Sequence, residues 1–371
     1  MIDCVYFKNF KSLRDIRCPL TRLTVIVGPN ASGKTSLLQG MHYLSQLSTK
    51  RAPEEIIDLF SRSRGLDVLH SADGQEAMIL GCKTAKADFH FKASRTQVTA
   101  DRTRLLNSGW FGGVWGSKLD NTSALQDPEA ADAIRSLVFL QLDAGELASP
   151  SHSMREVPRV EYSGRGLASV IANMALDEPD VFDELRVRMK KIVPQIKRIR
   201  VKKKKVKKYE TEVIHFRGEA ITTKVPREYA ADMLVFDFEN RADIPATNVS
   251  EGTMLALGLL TVLQSSARPK IILLDDIEKG LHPNAQRELV GMLREILLNQ
   301  PDLQIIATSH SPYFLDFLEP SEVRLMATGP DGFSRCGLLT DHPDFQKWKD
   351  EMTPGEMWSF FGEKWLVEEG V

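Results

Sequence analysis

The chain has 371 residues, enough for one large domain or two ordinary ones, of which 42% are hydrophobic and 26% are charged. This composition is typical of a globular protein with a buried core, and the formal net charge of −2 excludes a polycation. No apolar run is long enough to span a bilayer, and the N-terminus has no apolar signal segment. The four cysteines are far apart and form no C-x-x-C pair, so we expect thiols in a reducing compartment. We therefore expect a cytoplasmic protein without membrane contact.

Predicted strands and helices alternate along much of the chain, and the short polar run at 11–15 is predicted as a turn. In chain order, the predicted elements are a strand over 2–10, a buried strand over 23–28, a helix over 36–47, strands within 77–99, a loop over 100–130, an apolar run over 135–142, helices within 167–193, a basic extended segment over 196–218, a helix over 250–266, a strand over 271–276, a helix over 284–299 and a strand over 304–311.

This alternation predicts an α/β fold with a mostly parallel sheet. The first strand–helix unit and the last two are far apart in sequence, but all three have the pattern of one nucleotide-binding core. The predicted domains are a core formed by 1–50 and 230–340, an inserted lobe over 51–229 with a basic hairpin, and a C-terminal helical tail over 341–371. Within this plan, the strands of 77–99 predict an antiparallel β subdomain.

The stretch GPNASGKTS matches the phosphate-loop pattern G-x-x-x-x-G-K-[ST] in full and lies between a predicted strand and a predicted helix. The glycines let several backbone N–H groups point at phosphates, and the helix N-terminus adds positive potential. Lys34 supplies a positive charge, and Thr35 a hydroxyl for Mg²⁺. A chance glycine-rich turn would lack this context. The predicted nucleotide-binding residues of the loop are Gly28, Pro29, Asn30, Ala31, Ser32, Gly33, Lys34, Thr35 and Ser36.

Two adjacent carboxylates end the apolar run IILL at 271–274. A carboxylate at the tip of a buried strand beside a phosphate loop can hold the shell of a Mg²⁺ ion, and we assign this role to Asp275. Asp276 is then placed to orient the attacking water. The alternative is that the pair only caps a turn, but two neighbouring carboxylates repel each other in the absence of a cation.

His310 follows another apolar run, in QIIATSHSP. A histidine at this position can hydrogen-bond a γ-phosphate and sense its loss. By itself, the pattern fits a purely structural histidine equally well.

The stretch SEGT, at 250–253, precedes a predicted helix. Ser250 suits the N-cap position and Glu251 the first turn, which is an adequate structural explanation. Ser250 and Gly252 beside an open helix N-terminus also form a good anion site, which could receive the γ-phosphate held by a second copy of the chain.

Thirteen of the chain's 48 Lys and Arg residues lie between Arg186 and Lys208. One interpretation is a surface that contacts the phosphate backbone of DNA or RNA. The other is a solvated edge hairpin, since lysines on an edge strand also block aggregation. Few aromatic residues lie nearby, so stacking on single-stranded bases is not supported. The predicted contact residues are Lys197, Arg198, Arg200, Lys202, Lys203, Lys204, Lys205, Lys207 and Lys208.

Four motifs in this order, GPNASGKTS, SEGTMLAL, IILLDDIEKGLHP and IIATSHSP, resemble those of the RecF-like and OLD-like branch of the ABC ATPases. The resemblance covers 1–45 and 230–325 closely and the middle loosely. It implies an ABC-type head that dimerises with two ATP molecules between the subunits, each with Mg²⁺. The phosphate loop of one subunit would then face the family's signature motif, Ser250, Glu251, Gly252 and Thr253, in the other.

The resemblance also implies roles for single residues. Asp275 matches the Walker B aspartate, and His310 the switch histidine. Asp276 stands where the family usually has a catalytic glutamate, and its shorter side chain implies slow hydrolysis. Gln141 is the best match for the Q-loop glutamine. The D-loop position falls on Leu281, His282 and Pro283.

Several related classes are excluded by what the sequence lacks. It has no long heptad run for coiled-coil arms and no N-K-x-D guanine-reading motif, and no acidic cluster for a Toprim nuclease is expected in this chain. We therefore expect an ATP-driven dimeric switch, the ATPase component of a bacterial anti-phage system that acts through a separate effector protein. The alternatives are a DNA repair ATPase that binds DNA through the basic lobe, and an ATP-binding scaffold that hardly hydrolyses.

Overall fold

Three β-sheets organise the part of the chain that the computed structural model describes. The described residues are 1–49, 59, 78–85, 88–95, 110–116, 128–153, 155–216, 219–265 and 269–368. The strands are, in chain order, β1 Cys4–Phe10, β2 Leu13–Pro19, β3 Leu23–Val27, β4 Met78–Lys83, β5 Asp88–Arg95, β6 Trp110–Gly116, β7 Leu137–Leu140, β8 Ile196–Phe216, β9 Glu219–Phe238, β10 Ile244–Pro245, β11 Ile271–Leu274, β12 Gln304–Thr308, β13 Val323–Thr328 and β14 Ser334–Leu338.

The α-helices of the described residues range from single turns to more than four turns. They are, in chain order, α1 Lys34–Thr49, α2 Pro128–Arg135, α3 Ala144–Ala148, α4 Leu167–Asp177, α5 Pro179–Ile192, α6 Glu251–Gln264, α7 Pro283–Asn299, α8 Pro312–Leu315, α9 Phe345–Trp348, α10 Pro354–Phe361 and α11 Trp365–Glu368. The local sequence explains where several of these helices begin. A proline occupies the first turn of α5, where its missing N–H costs nothing, and α10 begins with a capping box formed by Thr353 and Glu356.

The largest sheet has the strand order β14-β13-β3-β12-β11-β7. Its strands β13, β3, β12 and β11 are parallel, and β14 adds an antiparallel edge. All residues of β3, β11 and β12 are buried, as expected for strands covered on both faces. The prediction of a mostly parallel sheet that joins the two ends of the chain is therefore confirmed. Because these strands are parallel, the loops after β3, β11 and β12 lie at the same edge of the sheet.

An antiparallel sheet with the order β2-β1-β4-β5-β6 confirms the predicted β subdomain. Its buried side chains join one hydrophobic cluster with Leu37, Leu38 and Met41 of α1. Gly40 of the same helix has no room for a side chain, since a Cβ there would lie 2.7 Å from the ring of Phe7. The sheet therefore holds α1, and with it the end of the phosphate loop, in a fixed position.

Two sequence predictions about irregular segments were wrong. The polar run after β1 was expected to be a turn, but the turn is confined to 11–12 and β2 begins at Leu13. The expected loop over 100–130 contains β6, which pairs with β5, and α2 begins at Pro128. In both cases the segment alone lacks the strand pattern, and pairing with a distant strand decides the structure. The remainder of that expected loop lies outside the described residues.

The third sheet has the order β10-β9-β8 and consists mainly of a long hairpin. β8 has 21 residues and β9 has 20, with a register that runs from Ile196 opposite Phe238 to Phe216 opposite Glu219. Apolar side chains are buried at its base, where Ile199 and Phe236 are opposite each other. The expected extended basic segment is thus a strand whose base is anchored in the core.

The chain folds into two compact units. The first comprises Met1–Phe139, Pro269–Glu278 and Leu293–Val371, and the second comprises Leu140–Arg268 and Lys279–Met292. The two larger sheets belong mainly to the first unit, and the hairpin belongs to the second. The domain boundaries inferred from the sequence at 50, 229 and 340 stay predictions.

Candidate nucleotide-binding site

The phosphate loop leaves β3 at Gly28 and enters α1 at Lys34. Gly28 and Gly33 have φ angles of 147° and 100°, which residues with a side chain rarely adopt. A Cβ at Gly28 would lie 2.1 Å from the carbonyl oxygen of Met326, and one at Gly33 would lie 2.3 Å from Oγ of Ser334. The spacing of the two glycines is thus required by the backbone path, independently of any ligand.

Lys34 is folded back into its own loop. Its Nζ donates hydrogen bonds of 2.8 Å to the carbonyl oxygens of Gly28 and Pro29. Burial lowers the pKa of Lys34, while the charges of Asp276 and Asp275 act in the opposite direction. The ammonium group is therefore held inside the loop, close to where a phosphate of a nucleotide would enter.

Ser32 gives an independent indication that the loop is built for an anion. The residue is 1% exposed, and its Oγ has no hydrogen-bond partner in the part of the chain that the structure describes. A buried hydroxyl without a partner costs about 1–3 kcal/mol. A phosphate oxygen is the kind of acceptor that would recover this energy, so the loop fits a nucleotide.

Asp275, directly after β11, accepts hydrogen bonds from two hydroxyl groups. Thr35 Oγ1 lies 3.2 Å and 3.1 Å from its two carboxylate oxygens, and Thr308 Oγ1 donates to Oδ1 at 2.8 Å. The two residues predicted to bind the metal, Thr35 and Asp275, are thus adjacent. The sequence analysis missed Thr308, although its position at the end of β12, two residues before His310, was a usable signal.

The oxygen atoms of Thr35 and Asp275 suit Mg²⁺, which binds few protein ligands and keeps water and phosphate oxygens in its shell. Within the described residues, no group of three or more His, Cys, Asp or Glu side chains is arranged to hold a metal ion. The Mg²⁺ site at Thr35 and Asp275 stays a prediction.

Asp276 and His310 approach each other at the same edge of the sheet. His310 Nε2 lies 3.7 Å from Asp276 Oδ1, and both side chains are nearly half exposed. Asp276 has a φ angle of 53°, and its backbone N–H donates to Thr308 Oγ1 at 2.8 Å. Such a conformation is uncommon for a residue with a side chain and is typical of functional sites. The carboxylate and the imidazole are thus available to a ligand.

Glu278, which the sequence analysis did not single out, contacts the same group. Its Oε1 accepts a hydrogen bond of 2.7 Å from the backbone N–H of His310. Four residues from the ends of β11 and β12, Asp275, Asp276, Thr308 and His310, and this glutamate therefore belong to one network. Their catalytic roles stay predictions.

The SEGT stretch begins α6 in the second unit. Ser250 occupies the N-cap position, but its side chain makes no cap hydrogen bond; its Oγ lies 2.7 Å from Oγ1 of Thr253. The N-terminus of α6 therefore has no side-chain cap, which leaves its amide groups available to an anion. Glu251 forms an ion pair of 3.0 Å with Lys279.

Gly252, in the first turn of α6, has no room for a side chain. A Cβ at this position would lie 2.1 Å from the carbonyl oxygen of Gly280. The predicted D-loop residues follow directly: Leu281 is half-buried, His282 is exposed, and Pro283 begins α7. The signature and D-loop segments thus pack against each other within this unit, while their predicted place in a dimer stays a prediction.

Comparison with known protein families decides the class. Residues 89–316 match the family described as "AAA domain, putative AbiEii toxin, Type IV TA system", and residues 1–108 match a family described as "AAA ATPase domain". The first match covers more than half of the chain. The chain belongs to this AAA domain family.

A curated relative links part of this AAA domain to an OLD nuclease. An OLD nuclease from Thermus scotoductus is 34% identical over 103 residues, which are 24% of this chain and 19% of that protein. The match thus spans about a fifth of the length of that curated relative. The predicted relationship to OLD-like ATPases is confirmed.

Two solved structures show the fold of this AAA domain protein. The Smc head bound to the C-terminal winged-helix domain of ScpA has a TM-score of 0.56 at 14% identity and covers 93% of this chain and 99% of its own. The Smc head with an extended coiled coil, bound to the C-terminal domain of ScpA derived from Pyrococcus furiosus, has a TM-score of 0.52 at 12% identity, with coverages of 94% and 99%. The ABC-type head fold predicted from the motifs is therefore confirmed.

Gln141, the predicted Q-loop residue of this AAA domain protein, follows β7 and is exposed. Its backbone N–H donates to the carbonyl oxygen of Tyr162 at 3.0 Å, and its side-chain oxygen accepts a hydrogen bond from the hydroxyl of the same tyrosine. The structure gives this residue a structural partner, and the Q-loop role stays a prediction.

The predicted nucleic-acid residues lie along β8, and several are neutralised by carboxylates. Arg200 contacts Asp237 at 2.6 Å and Asp243 at 2.5 Å. Lys202 also contacts Asp243, at 2.8 Å, and Lys203 contacts Asp232, at 2.7 Å. A weaker pair joins Lys207 to Glu228 at 3.9 Å. Over the described ranges, ion pairs are absent for Lys197, Lys204 and Lys205, and the side chain of Lys208 lies outside them.

None of the described helices combines the length and the apolar character needed to cross a membrane.

Proposed function

We propose that this chain binds ATP with Mg²⁺ and hydrolyses it as one half of an ATP-closed homodimer. The observation that carries the proposal is the meeting of three predicted elements at one edge of the parallel sheet: the phosphate loop, the Thr35–Asp275 pair and the Asp276–His310 pair. Membership in the AAA domain family and the ABC-type head fold support the same function.

Each residue has a definite part in this proposal. Lys34 exchanges the carbonyl oxygens of its loop for phosphate oxygens, so that a buried ammonium gains an ionic partner. Thr35 and Asp275 hold Mg²⁺, which neutralises charge on the phosphates. Asp276 accepts a hydrogen bond from the attacking water, and His310 donates one to the γ-phosphate. Because aspartate is one methylene shorter than glutamate, the water is held less well and hydrolysis is slow.

The dimer part of the proposal rests on α6. Its N-terminus has no side-chain cap, and Ser250 and Thr253 point their hydroxyl groups at each other rather than at the backbone. A γ-phosphate held by a second copy would satisfy these amides and hydroxyls. ATP then closes the dimer, and hydrolysis opens it.

The test is steady-state ATP hydrolysis by the purified chain with and without Mg²⁺, compared with Asp275→Asn and with Asp302→Asn as a control on an exposed turn. We expect Mg²⁺-dependent turnover that falls at least about a hundredfold in Asp275→Asn, since the metal ligand is lost. The control should match the wild type. Turnover that persists in Asp275→Asn would contradict the assignment of the metal site.

For the biological role, we propose the ATPase component of an anti-phage or related bacterial system that acts through a separate effector. The description of the matched family names a toxin system, and the Thermus scotoductus relative is a nuclease. A pull-down from the native host, with and without a trapped ATP analogue, should recover the effector only with the closed dimer. Cleavage of nucleic acid by the purified chain alone would overturn the separate effector.

A second candidate function, DNA or RNA binding, is favoured by a pocket in the second unit. The pocket has a volume of about 350 Å³ and is formed by α5 and β8, with Arg186, Lys190, Lys197 and Arg198 among its lining residues. Only Asp183 adds a negative charge, and it pairs with Arg186 at 2.7 Å. Like charges that converge without enough carboxylates repel each other, so a bound phosphate backbone would stabilise them.

The presence or absence of ion pairs shows which basic residues to test. The hairpin cations Arg200, Lys202 and Lys203 are already neutralised, whereas Lys190 and Lys197 have no ion pair among the residues the structure covers. Reversal of two pocket charges, in Lys190→Glu/Lys197→Glu, should therefore weaken binding of a fluorescent duplex more than Lys202→Glu/Lys203→Glu, which reverses two lysines that carboxylates already neutralise. It should also reduce the slope of log K against log salt by about 2, since each lost phosphate contact contributes about 0.9. Equal effects of the two variants, or none, would refute the pocket as the contact site.

A further inference from the structure

The two carboxylate oxygens of Glu278 differ in their hydrogen bonding. One oxygen, Oε1, accepts the hydrogen bond of 2.7 Å from the backbone N–H of His310. The other, Oε2, is buried and has no hydrogen-bond partner within the described part of the chain. A buried polar atom without a partner costs about 1–3 kcal/mol, and more if it is charged. A side chain chosen for stability alone would not carry this cost.

The residues on both sides of His310 have backbone hydrogen bonds that do not involve Glu278. Ser309 is fully buried, and its N–H donates to the carbonyl oxygen of Ile26 in β3 at 3.0 Å. Two residues later, the N–H of Ser311 donates to Oγ of Ser309 at 3.1 Å. Between them, the N–H of His310 has the carboxylate of Glu278 as its acceptor. Glu278 is thus the side chain that fixes the peptide from which the imidazole extends.

Asp276 is held by different atoms. Its backbone N–H donates to Thr308 Oγ1, which lies in β12 and does not depend on Glu278. Loss of the Glu278 carboxylate would therefore release His310 and leave Asp276 in place. The distance of 3.7 Å between the imidazole and the Asp276 carboxylate is the quantity that would change.

We propose that Glu278 is a positioning residue for His310, which holds the backbone of the switch histidine so that its imidazole faces Asp276 and the γ-phosphate. The inference rests on the proposed ATPase function of this site. It adds a third carboxylate to the motif at 275–278 and gives it a role that needs no contact with nucleotide or metal.

The decisive kinetic experiment combines Glu278→Ala, Glu278→Gln, His310→Ala and the double variant Glu278→Ala/His310→Ala, with Glu351→Ala as a surface control. Glu278→Ala should lower kcat by about 10- to 100-fold with little change in KM for ATP, because a misplaced catalytic group costs rate rather than substrate binding. Glu278→Gln should stay within about threefold of the wild type, since its amide oxygen still accepts the hydrogen bond.

The double variant shows whether Glu278 acts through His310. If it does, adding Glu278→Ala to His310→Ala should cause no further loss, because the group being positioned is already absent. Additive losses would show an independent role and overturn the proposal. A Glu278→Gln variant as slow as Glu278→Ala would overturn it as well, because the charge rather than the hydrogen bond would then be used.

A readout without ATP separates this inference from the proposed function. In the ligand-free protein labelled with ¹³C at histidine Cε1, the His310 signal, assigned with His310→Ala, should shift in Glu278→Ala and stay in place in Glu278→Gln and Glu351→Ala. An unchanged signal in a folded Glu278→Ala protein would overturn the positioning role. If the wild type does not hydrolyse ATP, the proposed function fails, and the NMR result still decides the role of Glu278.

Discussion

The charged side chains at the edge of the parallel sheet and those on the basic hairpin have different kinds of partner. At the edge of the sheet, Asp275 and Asp276 lie side by side and contact hydroxyl groups and an imidazole. On the hairpin, Arg200 and Lys203 each contact a carboxylate of the same unit. The difference teaches that a cluster of like charges indicates a ligand only when the chain itself does not neutralise it. By this criterion, we predict a cationic ligand at the sheet edge and none at Arg200, Lys202 and Lys203 of the hairpin.

The largest expected effect concerns the buried cation of the phosphate loop. Lys34→Met should weaken ATP binding by about 10- to 100-fold, because a charge-assisted contact worth about 1.5–3 kcal/mol is lost. The thermal midpoint of the ligand-free protein should stay the same or rise, since burial disfavours the Lys34 ammonium. Calorimetry of ATP binding and thermal unfolding check both parts. Lost stability without lost binding would show that Lys34 is structural.

A smaller effect is expected at α6, the helix that begins with the SEGT stretch. Gly252→Ala should lower the ATPase rate by about tenfold, because the new methyl group would lie 2.1 Å from the carbonyl oxygen of Gly280 and must displace it. The ATP affinity of the monomer should not change, since the phosphate loop lies in the other unit. Rates measured over a range of protein concentrations, with Gly291→Ala as a matched control in open space, test this prediction.

Asp276→Glu tests whether the short side chain makes the site slow. We expect a single-turnover rate that rises by up to about tenfold, because the longer carboxylate reaches further toward the water. Rapid-quench measurements with excess protein isolate this step from product release. A rate unaffected by the added methylene would remove Asp276 as the cause of slow hydrolysis.

The smallest effect concerns the neutralised hairpin. Hydrogen bonds from Arg200 and from the backbone of Asp243 lower the pKa of Asp237 from its ordinary value of 3.8. Its stabilising contribution is therefore fully present above pH 3.8 and is lost as the pH falls through the lower pKa of the folded state. Asp237→Asn should lower the thermal midpoint by a few degrees at pH 6 and by less near pH 3. An equal loss at both pH values would contradict the ionic explanation.

The sequence predicted the strands and motifs that depend on short-range patterns. Apolar runs identified β3, β11 and β12, and the motif after each run identified its polar end. The contacts of Thr308 and Glu278 depend instead on register: Leu274 is opposite Ala307, which places Asp275 beside Thr308. No local pattern contains this pairing, because the two strands are separated by α7. For the same reason, β2 and β6 were missed, and the carboxylates that neutralise the hairpin could not be assigned from β8 alone.

Three consecutive residues, Glu278, Lys279 and Gly280, connect two motifs that the sequence analysis treated separately. The first accepts the hydrogen bond from His310, the second pairs with Glu251, and the third lies against the first turn of α6. Consecutive Cα atoms are only about 3.8 Å apart, so this tripeptide has little slack. One short backbone segment therefore carries the acceptor for the His310 N–H, the partner of Glu251 and the carbonyl oxygen that excludes a side chain at Gly252.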